Sequence, residues 1–271
     1  MLRYIFKKWL FNTKNLVIIV LGVFVNKIII AKIYSAFEKT GQPFCIIESG
    51  MAVSNSGLIV LLLSIFFVMI MSDYPIADAS LLYQLIRCGR EKWFIAQIKF
   101  AIVAISLYLI LVLGFCLVST ADISFIANGW SMNISNYSTQ VGLSEFIPLQ
   151  LCNQMRPYKA YFISIVLLFC YFYFLLGIQM LGFSLGKKTL FGVLQMGILF
   201  GGMCFVFFRK KIMWLFPLSH SILWIHYDKY FRKVVFPIWG SLLFFIVLGT
   251  VSYSIAYMRI RSCSLDSFRE V

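Results

Sequence analysis

Long apolar runs separated by short polar intervals set the pattern of this chain. Six of them approach the roughly 20 residues that a helix needs to cross about 30 Å of hydrocarbon: residues 16–37, 52–71, 94–118, 160–185, 190–208 and 236–258. In lipid only a helix satisfies the backbone of such a run without water. Ahead of the first run, Leu2, Ile5, Phe6, Trp9 and Leu10 fall on one helical stripe, with Arg3, Lys7 and Lys8 off it. That pattern predicts a helix lying in the membrane interface, its lysines on anionic headgroups. The same basic start resembles a signal peptide, but no small-x-small cleavage site follows, so the first run is expected to be retained.

Two polar intervals carry more pattern than a connector needs. In SDYPIADASLLYQLIRCGREKW, residues 72–93, Pro75 suits a first helical turn and Asp78 lies near the start; Arg87 and Arg90 lie near the end, around Gly89. Leu81, Leu82, Leu85 and Ile86 form an apolar strip that leaves Tyr83, Gln84, Arg87 and Arg90 for another surface. A plain connector that places arginines on the inner side is the simpler reading. The second interval is RKKIMWLFPLSHSILWIHYDKYFRKVVFP, residues 209–237. Its apolar middle, Ile212 to Tyr227, is short for a span and holds Pro217 and both histidines, which predicts a re-entrant or interfacial hairpin. Between the third and fourth runs, residues 119–159 include the turn-rich NGWSMNISNYSTQ and are expected to form a small cap.

Composition fits this picture. Of 271 residues, 61% are hydrophobic and 13% charged, and the mean hydropathy is +0.90. The fold class expected is an all-α integral membrane protein with no soluble domain. A net charge of +14 could suggest nucleic acid, but the basic residues flank the apolar runs, where they act as anchors and topology signals, so no nucleic-acid partner is expected. With six spans, twelve Lys or Arg fall on the side of the N-terminus and nine on the other, six of the nine in residues 209–235 alone. This places both termini in the cytoplasm. A seventh crossing through 212–227 would leave the tally unchanged, and length is what argues against it.

The six spans, the amphipathic N-terminal helix, LIRCGREKW between the second and third spans and FPLSHSILWIH before the last resemble the permease subunits of type-2 ATP-binding-cassette transporters. The resemblance covers nearly the whole chain as one domain, 1–271, through loose motifs. It implies that the helix after the second span is a coupling helix seated in a groove of an ATPase, with Tyr83, Arg87, Arg90 and Glu91 as contacts. Pro217, Ser219 and His220 would belong to the turn of a re-entrant helix. ATP and Mg would sit on a separate ATPase subunit, present in two copies, with no cofactor in this chain, and a second permease, identical or homologous, would complete the path. The bacterial plasma membrane and export of an amphipathic peptide such as a bacteriocin, a drug or a lipid-like molecule also come from the resemblance, as does a role in bacteriocin immunity. A membrane anchor or sensor subunit without transport shares every coarse feature.

Candidate chemistry within the chain is sparse. The closest approach to a phosphate-binding loop, Gly182 to Thr189 in GFSLGKKT, has one residue too few between its glycines and no preceding strand. It reads instead as a packing pair, Gly182 and Gly186, before the anchors Lys187 and Lys188; Gly197 and Gly201 form a second such pair. Lys27, beside Asn26, lies about 16 Å into the first run at 1.5 Å per residue. Either it lines a translocation path or dimer seam, or the span starts later and Lys27 and Lys32 snorkel outward. Lys99 is placed to snorkel inward. His220 and His226 are six apart, on different faces of a continuous helix, so no metal site is expected. The seven cysteines are scattered; only Cys45 and Cys152 fall in outer loops, where a disulfide is conceivable. The ten carboxylates lie outside the predicted spans, which argues against an intramembrane enzyme.

Overall fold

A computed structural model describes residues 2–77, 81–209, 211–228 and 233–262. Asp78 and the side chains of Asn26, Leu81, Leu82 and Gln84 lie outside the described residues. The apolar runs become helices. After α1 (Leu2–Leu10), one helical stretch covers Thr13–Thr40, made of α2 (Leu16–Val25), a π-helical turn at Asn26–Ile30 and α3 (Ala31–Thr40). Then come α4 (Glu48–Asn55), α5 (Gly57–Ile70), α6 (Leu81–Cys88), α7 (Arg90–Ser119), α8 (Met132–Ser135) and α9 (Leu149–Gln154). The long α10 (Pro157–Ser184) and α11 (Lys188–Phe207), the short α12 (Pro217–Ser221) and α13 (Ile238–Ser262) complete the chain. Among the described residues, five helices are long and apolar enough to cross a membrane, or six if α4 and α5 count as one bent span. The protein is an all-α, membrane-embedded chain.

The second run departs from a straight span. It breaks between α4 and α5, which meet at 78°. The cause is local: Ser54, Asn55, Ser56 and Gly57 interrupt the apolar sequence, and Ser56 is extended (φ −76°, ψ 119°). Polar side chains of this kind compete for backbone hydrogen bonds and disfavour a helix interior.

The helices share a core of tilted and edge-to-face rings. Phe67 on α5, Tyr108 on α7 and Phe172 on α10 lie with centroids 4.6–5.6 Å apart, and Tyr171 continues the layer to Phe245 on α13 at 5.7 Å. Gly177 lets α10 approach α13: a Cβ there would stand 3.3 Å from Ser252 Cβ and 3.5 Å from the Gly249 carbonyl.

The two ends of the bundle differ. At the α1 end, Ile5 and Trp9 are buried, Trp9 meeting Phe100 edge-on at 5.8 Å. Lys14 pairs with Asp73 at 2.6 Å, and Asn12 donates to the same carboxylate. A side cleft lined by Trp9, Asp73, Ile76 and Lys188 brings the α10–α11 turn to this end too. At the opposite end, two short segments pair in parallel, β1 (Phe44–Cys45) with β2 (Ser124–Phe125), and form a cap with α8 and α9. The cap expected over residues 119–159 is therefore present. Its anchor is Glu48, fully buried, whose two carboxylate oxygens accept from the Cys45 and Ser131 amides at 2.9 and 2.8 Å. Cys45 and Cys152 are free thiols, with Cys45 Sγ directed at the Ala127 carbonyl.

Candidate functional site

The α6 corner is built to present one face. Leu85 is buried, while Tyr83 and Ile86 are 67% and 71% exposed and Arg87 is exposed beside them. Positions 83, 86 and 87 share a side of the helix at i, i+3 and i+4 spacing. Ile86 therefore leaves the apolar strip assigned to it and joins the outward face. Gly89, at φ 81° and ψ 150°, turns the chain into α7 through a conformation that favours glycine. Arg90 points inward: its guanidinium donates to the Ile260 and Arg261 carbonyls at 3.1 and 2.7 Å, covering the last turn of α13. Glu91 is exposed at the start of α7. Of the four residues expected on the contact surface, Tyr83, Arg87 and Glu91 are open, and Arg90 ties two long helices together.

Lys27 sits in the π-helical turn and is exposed, on a cavity of about 520 Å³ between α2 and α7 whose other lining is apolar, including Gly22, Leu111 and Phe115. Five residues further on, Lys32 lies over the Phe146 ring of the cap at 4.7 Å, and the Tyr34 hydroxyl donates to Asp122 at 2.7 Å. The α3 segment thus belongs to the cap. At 1.5 Å per residue Lys27 lies about 8 Å below the level of Lys32, so its stem can follow the helix toward the cap while its body lines the cavity.

The segment after α11 folds back into the bundle. Its 3-10 turn Lys211–Leu215, α12 and a second 3-10 turn at Leu223–His226 bury Pro217, Leu218, Ser219, His220, Ser221, Ile222, Leu223 and His226. Pro217 opens α12 at a position where its missing amide costs nothing. The Ser219 hydroxyl donates to the Met213 and Phe216 carbonyls and closes the turn that precedes it. Ile222 is extended and ends the helix. That second break meets the first: Leu223 N donates to Asn55 Oδ1 at 3.1 Å, and Trp224 Nε1 to the Asn55 carbonyl at 2.9 Å. Asn55 Nδ2 also reaches Ser164 on α10 at 3.1 Å. Because the helix breaks between them, His220 and His226 do not point apart as an unbroken helix would have it. His220 Nδ1 and His226 Nε2 lie 2.8 and 2.7 Å from the same atom, Ser241 Oγ on α13.

The glycine pairs separate in the same way. Gly201 abuts the Phe216 ring and Gly202 both Phe216 and Leu218, whereas a Cβ at Gly197 would meet nothing within 4 Å among the described residues. Gly182 packs on Phe191, while Gly186 takes φ +67° as the residue that ends α10. The Lys187 amide bonds back to the Gly182 carbonyl and the Gly186 amide to Phe183, so Gly186 is a helix-ending glycine and not a packing contact.

Comparison with known protein families, characterised proteins and solved structures returns no match. The sequence signals for Asn55 and Ser241 are slight. Asn55 lies in the SNSG interruption of an apolar run, and Ser241 is one serine in a greasy helix; neither announces that two distant segments converge on it.

Proposed function

We propose that this chain is the permease subunit of an ATP-binding-cassette transporter, with six crossings, both termini in the cytoplasm of a bacterial cell, and a separate ATPase docking on α6. The observation that carries this reading is the α6 corner: an outward face of Tyr83, Ile86 and Arg87 on a helix whose next residues are tied to the end of α13. A force applied to that face reaches α7 directly and α13 through Arg90, which is what coupling to a motor requires. The bent α4–α5 pair counts as the second crossing and 211–228 as a re-entrant segment. The cavity lined by Lys27 would belong to the path or to the seam with a second permease, and its apolar wall suits an amphipathic cargo such as a peptide, a drug or a lipid-like molecule.

The test is co-purification of the chain with a candidate ATPase subunit expressed alongside it, in the wild type and in Tyr83→Ala/Arg87→Glu. The double variant should retain about a tenth or less of the bound ATPase, since exposed aromatic and arginine anchors commonly dominate such contacts, and should insert in the membrane normally. Equal ATPase recovery and equal stimulated turnover in the two proteins would overturn the proposal.

A further inference from the structure

The junction on Ser241 poses a hydrogen-bond problem that its neutral form cannot solve. His220 Nε2 lies 2.8 Å from the Trp214 carbonyl, and His226 Nδ1 lies 3.0 and 3.2 Å from the Ile222 and Leu223 carbonyls. Carbonyl oxygens only accept, so each of those ring nitrogens carries a hydrogen. In a neutral imidazole the other nitrogen is then a bare acceptor. Both acceptors, His220 Nδ1 and His226 Nε2, face Ser241 Oγ within 2.8 Å. One hydroxyl has one hydrogen to give. With both rings neutral, one contact is lone pair against lone pair at hydrogen-bond distance, in a site where His220, His226 and Ser241 are all buried.

One additional proton removes the conflict. A protonated ring donates to Ser241 Oγ, the hydroxyl donates to the second ring, and every polar hydrogen has an acceptor. We propose that His220, Ser241 and His226 bind a single proton in common, making this junction a cation site inside the bundle.

The walls suit that cation. Phe244 stacks on His220 at 4.2 Å, Trp214 lies 5.3 Å from His220 and 5.2 Å from His226, and Phe236 meets His220 edge-on at 5.1 Å. Ring faces and three carbonyl dipoles stabilise a positive charge there. Burial of both rings opposes the charge, and the shared bridge acts against that cost. Among the described residues, α5 and the first three turns of α13 hold no ionisable side chain, and Lys211 opens the 3-10 turn that carries Trp214. On α10, Tyr171 reaches the site only through Phe245, and α11 offers Cys204 near its end. Of the flanking charges, Arg209 lies over Trp224 and Asp228 follows His226 by two residues.

The chain has two histidines in all, so histidine labelled with nitrogen-15 reports this junction alone when the protein is purified without a histidine tag. In the full chain in lipid vesicles, nuclear magnetic resonance should find one imidazolium per chain at about pH 6, arising in a one-proton step. Two neutral rings at about pH 5 in folded protein, or two rings charging together, would overturn the proposal. Ser241→Ala should lower the first protonation by about one pH unit or more, and Ser241→Thr should restore it. An unshifted first protonation in Ser241→Ala would also overturn it. If the alanine variant does not fold, the proton count in the wild type decides alone.

Discussion

Every polar atom of the Asn55 side chain has a partner: its amide group reaches Met51, Ser54 and Ser164, and its oxygen takes the Leu223 amide. Asn55→Ala strands that buried amide, and unfolding in detergent should register a loss of about 1–3 kcal/mol. A second residue-scale contrast separates glycines that look alike in sequence. A Cβ at Gly182 would stand 2.6 Å from Phe191 Cβ, while one at Gly197 meets nothing within 4 Å. Gly182→Ala should lower stability by about 1–3 kcal/mol, and Gly197→Ala should leave the isolated chain unchanged, both read as thermal midpoints. At this scale the sequence is legible where a residue acts through its own backbone, as Pro217 does at a helix start. It is silent where a residue acts on a distant segment. Asn55 and Leu223 are far apart along the chain, and no local spacing relates them.

Among elements, the corner between α6 and α7 divides its two arginines. Arg87 faces outward and Arg90 binds the end of α13, so Arg90→Ala should lower the thermal midpoint of the isolated chain while Arg87→Ala should not. Charge-assisted hydrogen bonds to carbonyls contribute about 1.5–3 kcal/mol at most, and partial exposure of Arg90 places the loss at the lower end. Gly89→Ala should act on the same corner from the backbone, because φ 81° with ψ 150° is unfavourable for any residue with a Cβ, by about 1–3 kcal/mol. The helix itself, its outward Tyr83 and its buried Leu85 were readable from 3.6-residue spacing. Ile86 was not, because an apolar residue at the border of a strip reads as inside until its neighbours are known. The histidines followed the same rule in reverse: six apart means different faces only while the helix continues, and Ile222 ends it.

Taken whole, the molecule holds Lys14, Lys188 and Arg261 at one end and the cap, with Glu48 buried in it, at the other. Thr139→Cys in the cap and Ser262→Cys at the far end of α13, each in a cysteine-free background, test the orientation that the basic residues favour. An impermeant maleimide added to intact cells should label the first and leave the second until the cells are opened; the reverse result would invert the topology. The positions of the long apolar helices were legible because the bilayer imposes a length on them. The bend in the second run was not, because its cause is three small polar residues and a glycine whose effect depends on what packs against the break.

That bend also sets a length. At 1.5 Å per residue, the 14 residues of α5 rise about 21 Å, well short of the roughly 30 Å of a typical hydrocarbon core. Beside it pack α12 and the turn that follows, held at Asn55 and Ser241 by hydrogen bonds that a thicker membrane would pull against. Lipids with longer acyl chains should therefore stretch this flank first, and the protein should lose thermal stability as the bilayer thickens, while thinner bilayers leave the junction at rest.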